Sequence, residues 1–214
     1  MKLRIASLSL LALCLVVVPA TAQTLYSNGG VNGTTDGWTI NFGFVVSDTF
    51  NVGSGGGTVT GVNFYAWTFP GDVLDNAEVA ITSSEFGGTT YSDQVVNFTQ
   101  SACSANQLGF NVCLESSSGL APVNLAGGTY WLNLENATVN DGDPIYWDEN
   151  SGASSASENS VGTIPSEAFT VLGTTSTSTT STTSTTSTTP EPSSIMLFGS
   201  GVLGLAGVLR RKLF

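Results

Sequence analysis

Short segments in which every second residue is apolar are the feature that most constrains the fold of this chain. The clearest is 38–46, where Trp38, Ile40, Phe42, Phe44 and Val46 alternate with smaller or polar residues. This period of two is typical of a half-buried β-strand. Similar segments indicate strands at 59–69, 78–83, 95–99, 107–114 and 129–135.

Turn-forming residues separate these segments, as at Pro70-Gly71-Asp72 and Asp141-Gly142-Asp143. Glycine permits positive φ, and aspartate accepts hydrogen bonds from its own backbone. No segment shows a clear helical stripe. We therefore expect an all-β domain over residues 23–173: an antiparallel β-sandwich of seven or eight strands, with a jelly roll as one arrangement.

Charge is segregated along the sequence. The five basic residues lie near the two ends of the chain: Lys2, Arg4, Arg210, Arg211 and Lys212. All 16 acidic residues lie between these two groups. A domain without Lys, Arg or His has no ordinary general base near neutral pH and no cation for a phosphate backbone. We expect a non-enzymatic protein that does not bind nucleic acid. Glycoside hydrolysis by two carboxylates is the remaining enzymatic route, but no pair stands out.

The N-terminus has the three parts of a Sec signal peptide over residues 1–22. Lys2 and Arg4 precede an apolar segment, and a small-residue sequence ends at Ala22. Such segments are removed on export. We expect cleavage between Ala22 and Gln23.

The C-terminus carries a second apolar segment. Residues 174–189 are 16 consecutive Ser or Thr residues, predicted to form a disordered linker, either glycosylated or bare. Residues 193–209 are predicted to be a transmembrane helix of 17 residues, roughly 25 Å long against a hydrocarbon core of about 30 Å. Arg210, Arg211 and Lys212 form a basic stop that should remain cytoplasmic.

The order of Pro190, Glu191 and Pro192, a short glycine-rich helix and a basic end resembles the PEP-CTERM sorting signal of bacteria that make exopolysaccharide. The resemblance covers residues 190–214. It implies processing by an exosortase at the Pro-Glu-Pro motif, a transient place in the inner membrane, and release to the cell surface or the extracellular space. A plain anchor that is never cut is the alternative. The segment 125–132, with Tyr146-Trp147-Asp148, also resembles a β-sandwich found on such proteins.

Cysteine usage indicates an oxidising compartment. Cys14 falls in the signal peptide, which leaves Cys103 and Cys113 as a pair. We expect a disulfide between them; two buried free thiols are the alternative.

Four carboxylates lie within nine residues: Asp141, Asp143, Asp148 and Glu149. Calcium prefers such oxygen ligands, although the spacing departs from that of an EF-hand. The segment is either a Ca²⁺ site or a solvated acidic turn. No other cofactor is expected.

Four tryptophans raise the question of glycan binding: Trp38, Trp67, Trp131 and Trp147. Aromatic side chains on alternating strands usually fill the core. Placed outward, they would stack on sugar rings and make the domain a lectin-like module, with or without Ca²⁺. The function that we expect is that of a non-enzymatic cell-surface or extracellular-matrix protein linked to exopolysaccharide or biofilm, and the lectin-like module is the alternative.

Overall fold

The computed structural model describes residues 23–33 and 36–176, which belong to one compact unit. Thirteen strands form within these ranges: β1 Gln23–Ser27, β2 Gly37–Thr39, β3 Val45–Val52, β4 Gly57–Thr68, β5 Leu74–Ser84, β6 Gly87–Ala105, β7 Asn111–Ser118, β8 Val123–Leu125, β9 Gly128–Val139, β10 Tyr146–Asp148, β11 Ala156–Glu158, β12 Gly162–Ile164 and β13 Phe169–Thr175. No helix occurs in these ranges. The all-β prediction is confirmed.

All strand pairs are antiparallel, and they form a single curled sheet. Its order is β1-β13-β4-β7-β6-β5-β9-β3-β11-β12, with β8 and β10 pairing β4 and β2 pairing β10. Tyr26 of β1 lies near one end of this order and contacts Phe50 of β3, near the other end, with ring centroids 6.4 Å apart. The sheet therefore curls until its two halves face each other across one core, which is consistent with the predicted sandwich.

Aromatic rings dominate the centre of that core. Trp147, Phe64, Phe50 and Phe169 are fully buried. Trp147 contacts the rings of Phe64 at 5.9 Å and Phe169 at 5.5 Å in edge-on geometry, the arrangement favoured by ring quadrupoles. These contacts join β10, β4 and β13.

The predicted strand at 38–46 is wrong as a continuous element. The chain turns after Ile40, with Phe42 at φ +58°, and the Phe44 N–H donates to the Asn41 carbonyl. Ile40 and Val46 are buried as expected, but Phe42 is 64% exposed. The side chain of Asn41 explains the turn, because it points inward and donates to the Asp143 carbonyl at 3.0 Å. The alternation of apolar and polar residues thus continues through the turn after Ile40, so the sequence pattern does not predict that turn.

The predicted strand at 107–114 also differs. Its first part is a turn in which the N–H groups of Leu108 and Phe110 donate to Oδ1 of Asn106, and β7 begins only at Asn111. The short strands β10 to β12 and the terminal β1 and β13 carry no long alternation, and the sequence does not predict them. Strand β13 runs through Thr175, so the folded domain includes two residues counted with the linker.

The signal peptide, linker residues 177–189 and the segment 190–214 lie outside the described residues. Among the residues that are described, no helix is long and apolar enough to cross a membrane. The predicted cleavage between Ala22 and Gln23 falls at the edge of the described residues and stays a prediction.

Candidate functional site

The Cys103–Cys113 disulfide is present and joins β6 to β7. It spans ten residues and closes the turn at 106–110, where the N–H of Asn106 donates to the Phe110 carbonyl at 2.8 Å. Cys113 is fully buried. The covalent bond therefore ties the exposed end of β6 to a buried position of β7.

A cavity of about 370 Å³ lies against this loop. Its lining includes Ser104, Asn106 and Gln107 on one side and Trp67 and Asp148 on the other. Oδ1 of Asp148 accepts a hydrogen bond from the indole N–H of Trp67 at 2.5 Å. Oδ2 of Asp148 and Nδ2 of Asn106 are buried without a partner among residues 23–33 and 36–176. Two residues of the cavity lining thus each carry one buried polar atom without a hydrogen-bond partner in the described ranges.

Aromatic rings extend from this cavity to the surface. Phe110 contacts Trp67 at 5.8 Å, Phe69 at 4.7 Å and Tyr146 at 5.7 Å between ring centroids. Phe69 is exposed, and Phe110 and Tyr146 are half-buried. We call these three residues with Trp67 the aromatic cluster. It presents ring faces next to polar atoms, as sites for hydroxyl-rich ligands do.

Behind the cavity lies a group of buried carboxyls. Asp48 and Glu167 are fully buried and Asp148 is almost so. Burial raises the pKa of Asp48 and of Asp148 to about 6, although hydrogen bonds oppose the shift. Burial, followed by repulsion from Asp48 and Glu149, raises the pKa of Glu167 well above its usual value. Neither oxygen of Glu167 has a hydrogen-bond partner within the described part of the chain.

The absence of basic residues from 23–173 explains these shifts. Wherever the described part of the chain buries a carboxyl, no ammonium, guanidinium or imidazole group is present to pair with it. The charged form then pays the full desolvation cost, which is why the proton is retained to higher pH. Hydrogen-bond donors stabilise Asp48 in part, since Thr49 N, Ser154 Oγ and Glu167 N donate to it.

The four carboxylates predicted to form one Ca²⁺ site lie at two different positions in the structure, so the predicted set is wrong as a single site. Asp148 and Glu149 belong to the buried group, and Glu149 accepts from the Trp38 indole at 3.4 Å. Asp141 and Asp143 instead lie beside Asp72, and one carboxylate oxygen from each of the three lies within 4.8 Å of the other two. We call Asp72, Asp141 and Asp143 the acidic triad.

Asp72 is the member that sequence reasoning missed. In the sequence it stands only as part of the Pro70-Gly71-Asp72 turn, since nothing local links it to residues almost 70 positions later. The pairing of Leu74 with Val139 brings the β4–β5 and β9–β10 loops side by side. Only that register brings the triad together.

The tryptophans divide between core and surface. Trp147 is fully buried and donates from its indole to the Ala168 carbonyl, and Trp67 is nearly buried in the cavity wall. Trp38 and Trp131 are half-buried. Within the adjacent pairs, Tyr130 and Trp147 point inward while Trp131 and Tyr146 are partly outward.

The predicted processing residues Pro190, Glu191 and Pro192 and the basic stop lie outside the described residues. Residues 188–212 match the PEP-CTERM protein-sorting motif. No curated protein and no solved structure matches the chain.

This motif implies a secreted protein that an exosortase sorts to the cell surface. The chain carries a PEP-CTERM sorting motif at its C-terminal end. The motif implies processing by an exosortase and association of the C-terminal region with the membrane.

Proposed function

We propose that this protein is a non-enzymatic component of the cell surface or extracellular matrix, exported by the Sec pathway and associated with exopolysaccharide. The observation that carries the proposal is the sorting motif at residues 188–212. The lack of Lys, Arg and His in residues 23–173 supports the non-enzymatic part, since most nucleophilic and general-base mechanisms use those residues.

Fractionation of producing cells tests this proposal. The wild-type chain should be recovered from the surface or matrix fraction, whereas a chain with Pro190, Glu191 and Pro192 replaced by alanine should accumulate in the inner membrane. A matched control carries alanine at three positions of the Ser/Thr linker and should sort normally. Equal surface recovery of the motif variant and the control would contradict the role of the motif.

Glycan binding is a second candidate function, and the cavity beside the disulfide favours it. Sugar hydroxyls both donate and accept hydrogen bonds, and the polar residues Ser104, Asn106, Gln107 and Asp148 in the cavity lining offer partners of both kinds. The neighbouring aromatic cluster supplies rings on which a pyranose face can stack. Because the described lining is uncharged apart from Asp148, a neutral or cationic polysaccharide fits better than an anionic one.

Pull-down with exopolysaccharide from producing cells tests the second candidate. We expect the full chain to be retained, and Asp148→Asn and Phe69→Ala to reduce retention at least about fivefold, equivalent to roughly 1 kcal/mol. Asp75→Asn changes an exposed carboxylate elsewhere on β5 and serves as the control. Equal retention of all variants would exclude this cavity, and release of reducing ends during incubation would show that the protein is an enzyme.

A further inference from the structure

The oxygen atoms of the acidic triad have a spacing that suits a bound Ca²⁺ ion, and no basic residue of the chain neutralises their charge. Calcium binds oxygen at about 2.3 to 2.6 Å, so two oxygens on one ion lie no more than roughly 5 Å apart. The three carboxylate oxygens of Asp72, Asp141 and Asp143 meet this limit, because all lie within 4.8 Å of one another. The spacing is therefore compatible with one ion shared by the three carboxylates.

The burial of Asp72 also points to a bound cation, because an ordinary acidic turn would leave its carboxylate exposed to water. The residue is 6% exposed, and its Oδ2 is buried with no hydrogen-bond partner among the residues that the structure describes. Asp141 and Asp143 are exposed and lie over it. A buried carboxyl group with an oxygen that lacks a donor, lying beside two further carboxylates, is a group that a cation would satisfy.

The protein offers no cation of its own at this place. Every Lys and Arg lies at positions 2, 4 or 210–212, and the chain has no His. Burial, together with the proximity of Asp141 and Asp143, raises the pKa of Asp72. This direction is expected for carboxylates that are crowded without a counter-charge.

The two loops that carry the triad are already held together. Val73 N donates to Oδ1 of Asn140 at 2.8 Å, and Asn140 N donates to the Val73 carbonyl at 3.2 Å. Gly71 and Gly142 adopt positive φ, which fixes each turn in a form that most residues disfavour. The ligands are therefore positioned before any ion arrives, and binding orders little additional chain.

We propose that Asp72, Asp141 and Asp143 bind one Ca²⁺ ion, which joins the β4–β5 turn to the β9–β10 loop. The ligand set favours Ca²⁺ over Zn²⁺, which prefers Cys and His, and over Mg²⁺, which demands stricter octahedral geometry. Water completes the coordination on the exposed side. With three carboxylates and an open face, the dissociation constant should be about 10⁻⁴ to 10⁻³ M, the range of extracellular modules. This inference does not depend on glycan binding or on sorting.

Calorimetric titration of CaCl₂ into the purified full chain, after removal of metal with EDTA, tests the proposal. We expect saturable heat with one ion per chain, and Mg²⁺ binding at least about tenfold more weakly. Thermal unfolding at about 10 mM Ca²⁺ should show Tm raised by roughly 3 °C or more over EDTA, since the ion binds only the folded state. Absence of both the heat and the Tm shift would overturn the proposal.

Isosteric variants assign the site. Asp72→Asn should weaken Ca²⁺ binding at least about tenfold and raise Tm in EDTA, because it removes a buried and repelled charge. Asp143→Asn should weaken binding as well. The control Asp75→Asn, on an exposed position three residues along the chain from Asp72, should retain the wild-type affinity. Equal affinity of Asp72→Asn and Asp75→Asn would place any bound Ca²⁺ elsewhere and overturn the assignment.

Discussion

Asp148 and Trp67 form a buried hydrogen bond of 2.5 Å between a carboxyl oxygen and an indole N–H, while the other oxygen of Asp148 has no partner in the described ranges. One oxygen of this carboxyl group thus has a hydrogen-bond partner, and the other has none among the described residues. Burial raises its pKa to about 6 despite the bond. Buried carboxyls in this domain have no basic residue as a partner. Neutral hydrogen-bond donors stabilise some of their oxygens, and other carboxyls keep their proton to a higher pH.

Replacing Trp67 with phenylalanine should destabilise the domain more at pH 8 than at pH 4.5. The indole N–H stabilises the charged carboxylate of Asp148, and losing a bond to a charged buried group costs about 1.5 to 3 kcal/mol. At pH 4.5 Asp148 is largely protonated, so less is lost. Urea unfolding at both pH values measures the difference, and the half-buried Trp131→Phe serves as the control. A cost independent of pH would show that Trp67 acts through packing alone.

The stability of the whole domain should fall as pH rises from about 5 to 8. Burial raises the pKa of Glu115 to about 7 and of Asp48 to about 6. A carboxyl with a higher pKa in the folded state binds more protons when folded, so its contribution is greatest below the unfolded pKa and is lost as pH rises through the folded pKa. Thermal unfolding in EDTA across this range should show a decreasing Tm.

Glu115→Gln isolates one of these groups. The side-chain amide of Gln100 now donates to Oε1 of Glu115 at 3.1 Å. The substituted glutamine would keep an oxygen to accept this bond and would remove the buried charge. We expect stability at pH 8 to increase by about 1 to 3 kcal/mol, with little change at pH 4.5. The exposed Asp75→Asn serves as the control. A loss of stability at pH 8 would mean that Glu115 is held in its charged form.

The disulfide should contribute about 2 to 3 kcal/mol, because it closes a short loop in the unfolded chain by joining cysteines ten positions apart. The double variant Cys103→Ala, Cys113→Ala should show this loss in urea unfolding without reductant. With dithiothreitol present, wild-type protein should fall close to the variant. If reduction leaves the wild-type free energy of unfolding unchanged, the bond does not stabilise the fold.

Substitutions at Ile40 and Phe42 distinguish the turn seen in the structure from the continuous strand predicted at 38–46. Ile40 is fully buried, so Ile40→Ala should cost about 2 to 4 kcal/mol. Phe42 is exposed at φ +58°, so Phe42→Gly should be neutral or stabilising by up to about 1 kcal/mol. A continuous half-buried strand predicts large losses at both positions, and denaturant unfolding of the two variants decides between these outcomes.

Sequence reasoning succeeded where the determining interactions are local. The alternation at 59–69 corresponds closely to β4, where Val62, Phe64 and Ala66 follow one another at every second position and are all fully buried. The sorting motif was also readable, since its parts follow one another along the chain. The disulfide could be proposed because only two cysteines remain after the signal peptide.

Longer-range features were beyond the sequence. The turn after Ile40 depends on the side chain of Asn41 reaching the Asp143 carbonyl, about 100 residues away. Asp72 joins Asp141 only through the register of β5 against β9. The cavity against Asp148 likewise depends on the order of β4, β7 and β6, which the alternation pattern does not encode.

The most direct test of the central claim is the intact mass of the protein recovered outside the cell. If the chain is a PEP-CTERM protein processed by an exosortase, the secreted form should begin at Gln23 and lack the apolar segment and basic end, 195–214. The disulfide should appear as a loss of about two mass units relative to the reduced chain. A secreted form whose mass retains residues 195–214 would contradict processing at the sorting signal.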